Sequence, residues 1–374
     1  MSSERWNVTF LESMRKIGDP KADAVITQIV DEHEIRAVNE MMKSLTENDE
    51  IVPEDMPPIV RGYLEETSIL PEWADMDRIR QGEAFFEFNW PVIVTFLFCA
   101  SLPSAYAAWR GAQVLHLTQR LTEHVHRRIF ETAQFLLDAM SPGGLAHKGH
   151  GIRSAQKVRL MHASIRHYIQ SVPRWNEQWN EDWGVPINQE DLAGTLMTFS
   201  VQILVSMKRF RIPMTQAEQE AYFHAWKVIG HIMGVDPRLL PNDVDDAFAL
   251  ATAIFDHQKG ESEAGKELTK ALLGFMALRS PGQLFAGFPA SIMRQCVPDE
   301  IADMLGVPPA NWTKALFFLE NAILRGIDRF EFRHRNFSKL LESFSGRLVD
   351  QLVLIERGGN RPLFRIPKSL RGVV

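Results

Sequence analysis

Residues Lys157–Arg166 read K-V-R-L-M-H-A-S-I-R. Arg159, His162 and Arg166 recur at steps of three and four, the spacing at which side chains leave one side of an α-helix. Leu160, Met161, Ala163 and Ile165 around them are apolar, so the segment reads as a buried helix, and the helical period extends over Gly151–Val172. Two guanidinium groups do not belong in a core without anions. A histidine bracketed by two arginines suits an iron porphyrin, with His162 ligating iron while Arg159 and Arg166 meet the propionates. The competing reading pairs both arginines with acidic side chains of the same chain and leaves His162 hydrogen-bonded in the core. On residue types alone that reading carries the greater weight.

Working outward, nearly every long segment keeps the same period. Ala22–Thr46 is amphipathic, Pro58–Ser68 is a short helix, and Asp75–Phe88 leads into the apolar Val92–Leu102 block. Ala105–Met140, divided near Gly111, precedes the Arg159–Arg166 helix. Gln189–Val205, Gln216–Met233, Asp243–Asp256, Leu268–Leu278, Gly282–Met293, Pro309–Ile327 and Phe337–Glu356 follow it. Alternating β-branched runs are nearly absent. The expected fold is all-α, a single large helical domain with a globin-like or bundle-like core around a pocket. Its expected limits are an N-terminal helical extension over 1–50, the main domain over 51–357 and an extended tail over 358–374. Ser141–Gly151, with Pro142 and four glycines, should be the loop joining two site helices. Asn188 or Asp191 should cap the next helix, and Thr215 with Glu218 forms a capping-box signature.

At 374 residues, 45% hydrophobic and 24% charged, the chain has the composition of a soluble globular protein. A net charge of -6 argues against a general nucleic-acid surface. The two cysteines, Cys99 and Cys296, provide no disulfide framework, and buried thiols are the simpler expectation. The start M-S-S-E-R-W-N has no secretory pattern, so a cytoplasmic protein is expected. Pro91–Ala108 is the most apolar stretch, but its prolines and serines favour a buried helix with a turn at Ser101–Ser104 over a stable membrane span of about 20 residues.

The helix before the glycine loop, His116–Met140, carries Arg128, Glu131 and Thr132 at comparable spacing and would form the opposite wall of a pocket. There Thr132 would donate to an iron-bound oxygen, Arg128 would hold a propionate or organise Glu131, and Glu131 would move a proton or ligate ferric iron. The simpler alternative is a solvated face on which Glu123, Arg127 and Glu131 pair one turn apart. None of the twelve histidines forms a zinc signature, and His147 with His150 lacks a third ligand nearby. The three tryptophans of Trp175–Trp183 either close a pocket or lock helices together. Gly194 and Thr195 would admit a flat ligand, whereas Tyr222, His224 and Trp226 read as packing.

Taken together, K-V-R-L-M-H-A-S-I-R, W-G-V-P-I-N-Q-E-D-L-A-G-T-L-M-T-F-S and E-A-Y-F-H-A-W-K-V-I-G-H-I-M-G-V resemble the latex clearing protein and MpaB-like oxygenase family over roughly Gly82 to Leu278. The resemblance implies an all-helical heme b protein that uses dioxygen, with rubber-cleaving members splitting carbon–carbon double bonds of polyisoprene. It places the iron ligand at His162, the family's two arginines at Arg159 and Arg166, and its threonine at Thr195. On the distal helix Arg128 and Thr132 match, but Glu131 stands where rubber oxygenases carry a lysine. The glutamate base of those enzymes is replaced around Ala112–Gln113.

Those departures, with the missing secretion pattern, move the expected substrate from solid polymer to a small hydrophobic or isoprenoid-like molecule. The expectation is a heme-dependent oxygenase or peroxygenase that uses dioxygen or peroxide. Phe130, Phe135 and residues of Pro91–Leu102 would line the substrate space. Two alternatives stand beside it: a non-catalytic heme- or lipid-binding protein on the same scaffold, and a heme-less structural or biosynthetic partner. Monomer and homodimer are both compatible with the sequence.

Overall fold

The computed structural model describes residues 5–31, 57–119, 125–278 and 287–309, with backbone alone at 119, 125–128 and 130. In chain order the helices are α1 (Val8–Met14), α2 (20–31), α3 (Pro58–Thr67) and α4 (Met76–Tyr106). Then come α5 (Ala112–Gln119), α6 (Val125–Met140), α7 (His150–Ser171), α8 (Gln189–Phe199) and α9 (Val201–Arg209). The series ends with α10 (Gln216–Ile232), α11 (Val244–Gln258), α12 (Glu263–Ala277), α13 (Phe288–Cys296) and α14 (Asp299–Met304). Among the described residues there is no strand, only an isolated antiparallel bridge between Ala108 and Lys259. The fold is all-α, as the sequence predicts. All but Pro309 of the sequence-predicted helix Pro309–Ile327, the whole of Phe337–Glu356, the tail from 358 and the remainder of Ala22–Thr46 lie outside the described residues.

Local chemistry sets the helix ends. The Thr215 hydroxyl accepts from the Glu218 N–H at 3.2 Å while the Glu218 carboxylate accepts from the Thr215 N–H at 2.6 Å, closing the capping box that starts α10. Asn188, not Asp191, caps α8, accepting from the Asp191 N–H at 3.0 Å.

Several expected boundaries differ, among them the start of α12 at Glu263 rather than Leu268, and two differences have a clear local cause. The chain does not turn at Ser101–Ser104; α4 runs on to Tyr106 through a π-helical turn at Leu97–Ser101. Pro103 has no N–H to donate, and its ring would collide with the carbonyl four residues earlier. The wider turn, in which the Leu102 N–H bonds to the Leu97 carbonyl, accommodates it. Gln189–Val205 is two helices, α8 and α9, because the backbone departs from helix at Ser200 (φ -104°, ψ -75°), whose hydroxyl bonds to the Leu196 carbonyl at 2.7 Å.

α4 is, among the described residues, the one helix long and apolar enough to cross a membrane, yet 67% of its apolar window is buried inside the protein. It packs along α10, and Gly82 makes the approach close: a Cβ there would lie 2.5 Å from the Ala221 carbonyl oxygen. This pair anchors a large apolar cluster that includes Phe86, Phe98, Tyr222, Trp226 and Phe275. A second cluster joins α2 (Ala22, Val25, Ile26, Ile29), α3 (Val60, Tyr63, Leu64) and the C-terminal half of α7. α7 lies on the seam. Ile152, Ala155 and Val158 belong to the first cluster, while Leu160, Ala163, Ile165, Tyr168 and Ile169 belong to the second. Met161 and Ile187 touch both.

Candidate functional site

α6 and α7 pack against each other across the glycine-bearing loop. Three α7 residues are the candidates that the sequence singles out. Arg159 is buried, with Nε donating to Asp19 Oδ2 at 2.5 Å, Nη2 to Asp19 Oδ1 at 2.8 Å and Nη1 to the Ile232 carbonyl at 3.0 Å. All three guanidinium nitrogens are thus engaged within the fold. Gly234 (φ +81°) makes room for that head group, since a Cβ there would sit 2.5 Å from Arg159 Cζ. Burial opposes the Arg159 charge, but hydrogen bonding to Asp19 and the neighbouring Tyr63 and Asp23 raise its pKa above the ordinary value.

Arg166 is held differently. Its Nε meets both oxygens of Asp23, at 2.8 and 3.0 Å, and Nη1 donates to the carbonyls of Pro186 at 3.1 Å and Ile187 at 2.7 Å. Nη2 is buried and finds no acceptor among the described residues. Ile187 reaches Arg166 from φ +52°, a conformation that a β-branched residue adopts only under constraint. Burial pushes the Asp23 carboxyl above the usual carboxylate range, against the lowering effect of Arg166.

His162 is half-buried on α7 between the two arginines. Glu131 and Thr132 are half-buried on α6, whose Ile129, Ala133, Leu136 and Met140 enter the core. The side chains of Arg128 and Phe130 lie outside the description. Thr195 is exposed on α8, and its hydroxyl donates to the Asp191 carbonyl at 2.8 Å. Among the described residues no cluster of three His, Cys, Asp or Glu side chains could hold a metal ion by itself. Cys99 and Cys296 are free buried thiols, raised in pKa by burial.

Sequence reasoning missed the anions. Asp19 and Asp23 belong to the start of α2, where G-D-P reads as an N-cap followed by proline at the first helical position, a signal that places the helix start before Ala22. It also missed a charged network that seats α1. Arg15 Nη1 donates to Glu190 at 3.1 Å and Asp191 at 2.9 Å, and Nη2 to the Trp183 carbonyl at 2.5 Å. His257 Nδ1 lies 2.6 Å from Glu190 Oε1 and its Nε2 3.0 Å from Glu12 Oε2. Arg110 closes the network, donating to both Glu12 oxygens at 3.1 and 3.0 Å.

Residues 90–325 match the family described as ER-bound oxygenase mpaB/B'/rubber oxygenase, catalytic domain. The chain belongs to this oxygenase family. It is 27% identical to the rubber oxygenase of Streptomyces sp. (strain K30) over 291 residues, covering 78% of this chain and 71% of that protein. Its fold is similar to that of latex clearing protein LCP in the closed state, with a TM-score of 0.70 at 25% identity, covering 88% of this chain and 90% of the other. The matched region contains α6, α7 and α8, whereas Asp19 and Asp23 precede it.

Proposed function

We propose that this oxygenase is heme-dependent and oxidises a small hydrophobic or isoprenoid-like molecule, with cleavage of a carbon–carbon double bond as one outcome. The observation that carries the reading is the buried Nη2 of Arg166, without an acceptor among the described residues, one turn from His162 on a helix between two apolar clusters. A planar, mostly apolar group with a carboxylate edge fits that set: apolar faces for the clusters, a carboxylate for Nη2, and imidazole as ligand. Arg159 fits less well, since its nitrogens are engaged by Asp19 and Ile232.

Bound there, heme would supply the activation of dioxygen or peroxide. His162 would ligate the iron, and Arg166 would orient the porphyrin by its carboxylate edge. Thr132 on the facing helix would donate a hydrogen bond into the reaction space, and Glu131 would hold or move a proton at its carboxyl oxygen. Phe135, buried on α6, would keep water from the substrate side. Supporting this reading are the family's catalytic-domain match and the packing of α6 on α7.

The test is the absorption spectrum of protein produced with heme supplied, beside that of His162→Ala. A Soret band that falls or shifts in the variant supports ligation by His162, and oxygen or peroxide consumption with short unsaturated isoprenoids then tests turnover. A colourless wild type that cannot be reconstituted defeats the proposal. It would favour a heme-less role, for which the existing pairs of Arg159 with Asp19 and Arg166 with Asp23 already provide the anions.

A further inference from the structure

The two arginines that look equivalent in sequence are not equivalent in the fold. Arg159 is closed by Asp19 on two nitrogens and by the Ile232 carbonyl on the third. Arg166 is fixed on Nε by Asp23 and on Nη1 by Pro186 and Ile187, which leaves a single buried nitrogen in a predetermined direction. A guanidinium held on two edges with the third unsatisfied is a preorganised carboxylate receptor. Its unmet donor is costly unless a ligand fills it. The residue that sets its direction, Asp23, comes from α2, before the family-matched region.

We propose that Asp23 is a positioning residue for the cofactor site: it orients Arg166 so that Nη2 receives one carboxylate of the porphyrin, while Asp19 commits Arg159 to the fold. This rests on the heme reading above. The N-terminal helix is then part of the binding site by way of the guanidinium it aims, with α7 supplying the donor. Ile187, with its carbonyl turned to Arg166 from a left-handed backbone, completes the holder.

The experiment compares heme with heme dimethyl ester, which has the same ring but no carboxylates. Full-length wild type, Asp23→Asn, Asp23→Glu and Arg166→Lys are each loaded, and loss of porphyrin to an excess of scavenging apoprotein is timed by absorbance. The wild type is expected to release heme about tenfold more slowly than the ester, the scale of one charge-assisted hydrogen bond. Asp23→Asn and Arg166→Lys should erase that difference, and Asp23→Glu should keep most of it. Unfolding of the cofactor-free proteins is followed in parallel. If the wild type holds heme and ester equally, the inference falls while the heme reading stands. It also falls if Asp23→Asn lowers stability but preserves the discrimination, since Asp23 would then be structural only. If the wild type takes up neither porphyrin, the heme reading fails and takes this inference with it.

Discussion

Arg159 and Asp19 form a buried two-point pair, Nε to Oδ2 at 2.5 Å and Nη2 to Oδ1 at 2.8 Å, that ties α7 to the start of α2 across 140 residues of sequence. Taking two charges from water is compensated only while both partners remain. Asp19→Ala strands the guanidinium and should cost about 3–5 kcal/mol. Asp19→Leu combined with Arg159→Met removes both charges and should recover much of that loss. Denaturant unfolding of the two single variants and the double variant measures the coupling. Additive losses would show that the pair is not what joins these helices.

Gly234→Ala should disturb the same pair from the other side. A methyl group at φ +81° is strained, and it would stand 2.5 Å from Arg159 Cζ, so the guanidinium must leave Asp19 or the loop must move. A loss above about 1 kcal/mol is expected. In the Arg159→Met background the clash disappears and a smaller penalty for the backbone should remain. Equal penalties in both backgrounds would count against it.

Acid should weaken the fold through its histidines. His224 and His231 on α10 and His167 on α7 all have pKa values lowered, first by burial, from an ordinary 6.5. His224 Nε2 accepts the Asp75 N–H at 2.9 Å, which only the neutral ring can do. Around it, Arg78 and Lys227 add to the lowering and Asp75 opposes it, while Trp73 meets its ring edge-on. Because the folded pKa values are depressed, their contribution is complete above pH 6.5 and declines as pH falls toward the folded values. Asp23 and Asp191, raised mainly by burial, act in the opposite sense at lower pH. His224→Gln keeps an acceptor and does not titrate, so its stability should fall less between pH 7.5 and 5. An unchanged slope would remove His224 from this account.

The helices were legible because burial on one side writes a helical period, as in α10, whose Thr215–Glu218 cap was also readable residue by residue. The α7 cluster was legible too, as a group of residue types on one face. What the cluster pairs with was not, because the anions Asp19 and Asp23 lie far away in sequence and only tertiary packing brings them to Arg159 and Arg166. The same limit hid the Arg15–Glu190–His257 network. The misplaced turn at Ser101–Ser104 has a local cause. Pro103 ordinarily signals a break, and nothing in residue type alone reveals that a π-turn will absorb it.

Glu131 offers the sharpest test of the proposed chemistry. By the family resemblance a lysine occupies this position in rubber oxygenases, so a carboxyl group here changes both charge and proton inventory. An ionised carboxylate opposes negative charge growing on an oxygen species nearby, whereas a protonated one donates to it. Glu131→Gln keeps a donor of similar shape and cannot exchange a proton. If Glu131 moves that proton, oxidation of an unsaturated substrate should slow by at least about a hundredfold while the Soret band of the loaded protein is retained. Stability should change by less than about 1 kcal/mol, since the residue is only half-buried. Single-turnover rates for the wild type and Glu131→Gln, measured with the same bound cofactor, separate the step from binding. Equal rates would leave proton transfer to another group and reduce Glu131 to a polar wall of the pocket.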